Sequence, residues 1–290
     1  MIEIPKVLKL FGKETQKFPL VFDSPHSGTN YPNDFKYDAD FQLIRMGEDT
    51  HVNELFSDCI DKGCILLQAE FPRSYIDPNR SETDFIANEL STDYNNVCNI
   101  KFAPTIKSKL GIGLIWTKVP PNGNNMYNKK ISPDDLMHRV KNFHRPYHKT
   151  LKNCLDETYT NFNKFFHVNC HSMSNKASAM SSQMKGTRRP DFVLGDRDGT
   201  TCSPKLINLI STFLKNKNFN VTINDPYKGV ELVRAYSNPE KNKHSIQIEV
   251  NRSLYMNEIN REKNEKFHYT KLIISEMIDE IKSNLEKKII

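Results

Sequence analysis

Hydrophobic positions along this chain follow two alternating rhythms. Short apolar runs that read as strands occupy Leu20–Asp23, Gly63–Ala69, Phe165–Cys170, Asp191–Leu194, Phe219–Ile223 and Ser245–Val250. Between them, apolar residues recur three and four apart over Asn53–Asp61, Asp134–Asn161, Ser203–Asn216 and Phe267–Lys287. That is the spacing of one helical face. In the second of these helices the face is Leu136, Val140, Phe143, Tyr147 and Leu151, with Pro133 suited to the first turn. In the last it is Leu272, Ile273, Met277, Ile278, Ile281 and Leu285. Strands alternating with helices predict an α/β fold, a mixed, mainly parallel sheet sandwiched between helices. No repeat and no Pro-, Gly- or Ser-rich linker divides the chain, and Pro120-Pro-Asn-Gly-Asn-Asn reads as a turn-rich loop. Residues 1–290 are therefore expected to form a single domain.

Composition narrows the class. Hydrophobic residues are 37% and charged residues 26%, the balance of a soluble globular protein. The net charge of +6 is spread along the chain, without the basic and aromatic interleaving of single-strand binders, so nucleic acid is not an expected partner. No apolar run approaches the roughly 18 residues of a membrane span. The start, Met1-Ile-Glu-Ile-Pro-Lys, lacks the basic and apolar regions of a signal peptide. Cys59, Cys64, Cys98, Cys154, Cys170 and Cys202 form no C-x-x-C pair and read as reduced, mostly buried thiols of a cytoplasmic protein. Nothing in the sequence sets an oligomeric state.

Candidate chemistry gathers where apolar runs end. His26 follows Leu20–Asp23, and His171 follows Phe165–Cys170. A histidine at the C-terminal edge of a strand aims its imidazole at the crevice where open α/β sheets bind ligands. Two such edges can converge on one zinc ion, and an acidic third ligand leaves a position for water. The stretch Gly47-Glu-Asp-Thr-His offers Asp49 as that ligand, with His51 as the alternative. The same stretch also reads as a helix cap formed by Asp49 or Thr50. Arg73-Ser-Tyr-Ile-Asp-Pro-Asn-Arg crowds Asp77, Asn79 and Arg80 into four positions, where an Arg fork and an adjacent amide suit a substrate carboxylate. Glu249 interrupts the apolar run Ile246–Val250. A partly buried Glu has a raised pKa and can shuttle a proton near neutral pH. Asp196 and Asp198 follow Asp191–Leu194 without the spacing of a calcium loop and read as a turn lining the cleft.

Seven of these segments in order resemble the N-formylglutamate amidohydrolase family: Pro25-His-Ser-Gly, Asp49-Thr-His-Val-Asn-Glu-Leu-Phe, Arg73-Ser-Tyr-Ile-Asp-Pro-Asn-Arg, Cys170-His-Ser, Pro190-Asp-Phe-Val-Leu-Gly, Tyr227-Lys-Gly and Gln247-Ile-Glu-Val-Asn-Arg. The resemblance implies a fold similar to the carboxypeptidase A-type zinc hydrolases. By matching motif it places His26 and His171 as ligands of one zinc ion, Asn79 and Arg80 at the substrate carboxylate and Glu249 as base. Those peptidases carry a Glu three residues after the first His, whereas position 29 here is Thr, and Asp49 takes its place. The implied activity is hydrolysis of the amide of a small anionic N-acyl amino acid, N-formyl-L-glutamate above all. Arg252 is expected to stabilise the developing oxyanion or to hold a second carboxylate. The alternatives are a deacylase for another N-acyl amino acid or short peptide and a non-catalytic binding protein of the same fold. A serine hydrolase is disfavoured, because Ser27 and Ser172 lack the Gly-x-Ser-x-Gly elbow.

Overall fold

The computed structural model describes residues 1–92 and 100–290, so Cys98 lies outside the described residues. Among the described residues ten strands are present: β1 (Ile2–Ile4), β2 (Leu8–Phe11), β3 (Leu20–Ser24), β4 (Ile65–Ala69), β5 (Lys118–Val119), β6 (Asn124–Asn125), β7 (Phe165–Met173), β8 (Phe192–Gly195), β9 (Val221–Ile223) and β10 (Lys243–Asn251). The α-helices are α1 (Phe41–Arg45), α2 (Val52–Leu55), α3 (Ile106–Lys109), α4 (Pro133–Arg139), α5 (Arg145–Phe162), α6 (Pro204–Asn216), α7 (Glu231–Tyr236) and α8 (Phe267–Glu286). Among the described residues no helix is long and apolar enough to cross a membrane.

Eight strands form one sheet in the order β1-β2-β4-β3-β7-β10-β8-β9, and β5 pairs with β6 apart from it. The centre, β4-β3-β7-β10, is parallel throughout. At one side β2 runs antiparallel to β4 and β1 antiparallel to β2. At the other β8 runs antiparallel to β10, with β9 parallel to β8. This is the mixed, mainly parallel sheet that the alternation of runs predicts.

Both faces are covered, as a parallel sheet requires. Phe166, Val168 and Cys170 of β7 and Ile246, Ile248 and Val250 of β10 share one apolar core with α2, α6 and α8. Val21 of β3 and Ile65 and Leu67 of β4 join α4 and α5 in a second. The five described cysteines are free and buried.

Three differences from the sequence reading have local causes. The helix expected over Asn53–Asp61 is the short α2 followed by a 3₁₀ turn, Ser57–Cys59. Leu272 is exposed, because Ile273, Ile274, Met277 and Ile278 define the buried stripe of α8. The long helix over 134–161 is capped by Ser132 and broken by a π-helical turn, Val140–His144, between α4 and α5. Strands β1 and β2 escape notice because each is only three or four residues long and β1 is exposed throughout.

Candidate active site

The central strands bring their chemistry to one edge. His26 lies two residues beyond β3, and His171 and Glu249 are register partners near the ends of β7 and β10. Asp77, Asn79 and Arg80 sit in the loop after β4. All of them lie at the carboxyl ends of parallel strands, where open α/β sheets bind ligands. The loop after β3 runs hard against the backbone at Glu70 and Phe71. A Cβ on Gly28 would lie 2.3 Å from the Phe71 carbonyl oxygen, so only glycine lets His26 keep this position.

Asp49 is fastened to the same place by its backbone. Its N–H donates to the His26 carbonyl at 2.9 Å, and Ser27 Oγ donates to the Asp49 carbonyl at 3.0 Å. His26, Asp49 and His171 offer ligand atoms that all lie within 4.8 Å of one another, and all three residues are buried. His171 Nδ1 is 3.1 Å from Asp49 Oδ2. His26 Nδ1 is 3.4 Å from the same oxygen yet makes no hydrogen bond, which leaves a buried nitrogen without a partner. The opposite nitrogens are held from outside: His26 Nε2 pairs with Asp77 Oδ1 at 2.7 Å, and His171 Nε2 with Asn169 Oδ1 at 2.7 Å. With Nε2 donating, both Nδ1 lone pairs face Asp49. Such outer partners are what metal-ligating imidazoles carry. Two imidazoles and one carboxylate are also a donor set suited to zinc. The residues present therefore fit a metal ion.

Electrostatics keep this group ready for a cation. Burial pushes the His171 pKa down to about 4, with the nearby His26 adding to the effect and Asp49 opposing it, so the ring is neutral near pH 7. Burial alone would raise Asp49, but the neighbouring His171 and His26 hold it well below the usual carboxylate range. Glu249 moves the other way. Burial and the charge of Asp49 raise it to about 8, against the pull of Arg73, Arg189 and Arg252. Gln247 Nε2 donates to its Oε1 at 2.8 Å.

His26, His171, Gln247 and Glu249 line a cavity of about 660 Å³ whose walls also carry Arg73, Arg80, Lys107, Arg189 and Trp116. Arg80 keeps part of its fork available: Nη1 donates to the Asn79 carbonyl at 3.0 Å, and among the described residues no hydrogen-bond partner engages Nη2. Asn79 also lines the cavity, but its amide oxygen accepts from Leu232 N–H at 3.0 Å and its NH₂ donates to Asn169 Oδ1 at 3.3 Å. It orders the ligand's surroundings more than it reaches for substrate. Arg252 is placed differently from expectation. Its guanidinium donates to the carbonyls of Met46 and Glu48, to Ser172 Oγ and, at 3.0 Å, to Asp49 Oδ1. Arg252 thus clamps the acidic residue from the cavity wall.

Other expected residues fall outside the centre. His51 has φ 67°, pairs with Glu54 and reaches the Arg261 carbonyl, so its ring turns away from His26 and His171. Neither Asp49 nor Thr50 caps α2 by its side chain. Asp196 is engaged by Gly199 N–H and Asn224, closing its own turn, while Asp198 pairs with Lys228. That turn braces a residue of the cavity wall instead of lining it.

Sequence reasoning gave no role to a supporting set. Arg139, His144 and His148 on one helix all address the loop after β4. Arg139 Nη1 donates to the Tyr75 carbonyl at 3.0 Å. The Nε2 atoms of His144 and His148 lie 2.8 Å from the carbonyls of Arg80 and Pro78. The two His rings stack at 4.2 Å. Burial lowers the His148 pKa to about 3, so it stays neutral beside the Tyr236 hydroxyl. The sequence signal was Arg139 with Pro146-Tyr-His on a predicted helix, but spacing alone does not say which loop they hold.

This is the architecture of a hydrolytic enzyme of the α/β class, with its chemistry at the carboxyl ends of the central strands. Comparison with known proteins carries the assignment further. The model of the N-formylglutamate amidohydrolase family matches residues 18–256, and the chain belongs to that family. It is 26% identical over 253 residues to N-formylglutamate deformylase of Pseudomonas putida, across 86% of each chain. It is 23% identical over 250 residues to the N-formylglutamate deformylase of Pseudomonas aeruginosa, across 83% of this chain and 84% of that one. The crystal structure of N-formylglutamate amidohydrolase from Ralstonia eutropha JMP134 superposes with a TM-score of 0.91 at 38% identity, covering 98% of this chain and 99% of the other.

Proposed function

We propose that this protein hydrolyses N-formyl-L-glutamate to formate and L-glutamate, with one zinc ion held by His26, Asp49 and His171. The observation that carries the reading is the convergence of these three buried ligands beside Glu249 in a cation-lined cavity. The substrate is supported by family membership and by what the Pseudomonas and Ralstonia relatives are named for. Zinc, when bound, supplies a Lewis acid that polarises the formyl oxygen and lowers the pKa of water.

The chain's own residues do the rest. Arg80 grips a glutamate carboxylate and fixes the formyl carbon near Glu249. Glu249 accepts a proton from the attacking water as the water oxygen bonds to the formyl carbon. It then gives that proton to the amide nitrogen as the carbon–nitrogen bond breaks. A proton affinity raised by burial suits a group that must take and release a proton near neutral pH. Arg252 and Ser172 hold Asp49, Asp77 holds His26, and Asn169 holds His171. Five free, buried cysteines support a reducing compartment, and we place the enzyme in the cytoplasm.

Purified protein loaded with zinc should bind about one ion per chain and release formate from N-formyl-L-glutamate. His26→Ala and His171→Ala should lose both the ion and the turnover while keeping the far-UV circular dichroism of the wild type. Full metal content in both variants would remove the centre. A zinc-loaded wild type that releases no formate would remove the reaction.

A further inference from the structure

Most cations on the cavity wall are already engaged. Arg252 clamps Asp49 and two carbonyls, Arg189 donates to Ser174, Ser181 and Gln183, and Lys228 pairs with Asp198. Arg73 pairs with Asp77, although its buried Nε has no partner. Lys107 alone has its whole ammonium group uncommitted, with no hydrogen bond or ion pair among the described residues. Among the described residues lining the cavity, only Glu249 is a carboxylate.

The place of Lys107 is fixed. Helix α3 is tied to Asp84, whose carboxylate accepts from Thr105 N–H at 2.7 Å, from Thr105 Oγ1 at 3.0 Å and from Ser108 Oγ at 2.5 Å. Thr105 also caps the Lys107 N–H. The same anchor serves Arg80, whose Nε is 4.0 Å from Asp84 Oδ2 and 3.5 Å from the Ile112 carbonyl. Lys107 and Arg80 are thus mounted on one support and face one cavity. A partly buried cation without a counter-ion, set among other cations, is unfavourable in the free protein, and an incoming anion offsets that cost. In keeping with this, burial and then the charges of Arg80, Arg73 and Arg189 bring the Lys107 pKa down to about 8.

The geometry points to Lys107 as the group that reads the second, side-chain carboxylate of a dicarboxylate substrate, with Arg80 on the first. The assignment rests on the deacylation proposed above and adds the element that selects glutamate over its uncharged analogues. In this arrangement the segment from α3 to Trp116 is a specificity wall, and Lys107 touches substrate without touching the reacting atoms.

The test compares Lys107→Met and Lys107→Arg on N-formyl-L-glutamate and N-formyl-L-glutamine. Lys107→Met should lower kcat/KM for the glutamate substrate about 10- to 100-fold, mainly through KM, and change the glutamine substrate by less than about 3-fold. Retained turnover of the glutamine substrate also reports a folded variant. Lys107→Arg should recover most of the loss. Binding of glutarate and butyrate gives a readout independent of turnover. Glutarate should bind at least about 10-fold more weakly to Lys107→Met than to wild type, with butyrate unchanged. At pH 8 glutarate binding should take up more protons in the wild type than in Lys107→Met, where Glu249 alone still titrates. Equal losses on both substrates, or a wild type that binds glutarate no more tightly than butyrate, would overturn the assignment. Glutarate discrimination through Lys107 without formate release would instead uphold it and defeat the deacylation.

Discussion

Strands β7 and β10 carry two surfaces that differ by one residue of register. On one, Phe166, Val168, Cys170, Ile246, Ile248 and Val250 make a dry wall against α2, α6 and α8. On the other, His167, Asn169, His171, Ser245, Gln247 and Glu249 are just as deeply buried and wholly polar. The second surface is possible because its members bond one another. His167 pairs with Ser245 at 2.8 Å and with Asp23 at 2.7 Å, and Asn169 and Tyr147 also donate to Asp23. Asn169 in turn holds His171. An unsatisfied buried polar group costs about 1–3 kcal/mol, so the network must be nearly complete. His26 Nδ1 and Gln247 Oε1 are among its few open atoms, and both residues line the cavity. The lesson is that stability and chemistry share one backbone here, separated by the strand's two-residue period.

That separation can be broken by substitution. The largest effect should come from the polar face: Glu249→Gln preserves shape but cannot accept a proton, and kcat should drop about 10²–10⁴-fold with zinc content unchanged. Near-normal turnover would take Glu249 out of the reaction. One residue away, Ile248→Ala should destabilise the protein by about 2–5 kcal/mol in denaturant unfolding. Its kcat/KM, measured below the transition, should stay close to wild type; a large loss there would mean that the two faces are not independent. Arg80→Lys replaces a planar fork with a point charge and should lower kcat/KM for N-formyl-L-glutamate roughly 10-fold. A smaller loss on a substrate with that carboxylate amidated is the expected signature, and equal losses would deny Arg80 its contact.

The last effect is in stability against pH. Glu249 is raised from its ordinary 4.5 to about 8 in the folded, metal-free protein. A carboxyl held protonated by folding is penalised once solution pH favours its charged form, so the wild type loses stability as pH rises from about 4.5 to 8. The melting temperature of metal-free Glu249→Gln should therefore gain on that of the wild type across this window and run parallel to it above. A constant gap from pH 4 to 9 would mean that Glu249 is not held protonated.

Much of this was legible in the sequence for physical reasons. Apolar runs long enough to fill a buried strand were visible, and so were the polar residues that broke them: His171 at the end of one, Glu249 inside another. Both sit where strand periodicity puts them on the cavity face. The choice between Asp49 and His51 was harder, because two residues in one turn are equally near on paper. The backbone separates them, since the left-handed conformation of His51 swings its ring toward Glu54. Arg252 was expected at the oxyanion or at a second carboxylate, and sequence carries no record of the carbonyls of Met46 and Glu48 that engage it. Lys107 was invisible for a similar reason. Its neighbours Arg73 and Arg80 are about thirty positions away in the chain, and Arg80 meets it through the shared anchor of Asp84.

The π-helical turn between α4 and α5 sets a gauge. In an α-helix, residues four apart share a face, and residues five apart do not. Within a turn bonded from i to i+5, Arg139 and His144 come to share a face with His148 four residues further on. Three side chains at intervals of five and four then meet the carbonyls of Tyr75, Arg80 and Pro78. Removing one residue from this turn would restore the regular ladder and still leave Arg139 facing the loop. It would also shorten the helix by about 1.5 Å, the rise of one residue. Hydrogen bonds of 2.8 and 3.0 Å at the two ends could not both survive that change in length. The extra residue acts as a spacer that tunes the helix to the loop, and this stretch should tolerate changes of side chain far better than changes of length.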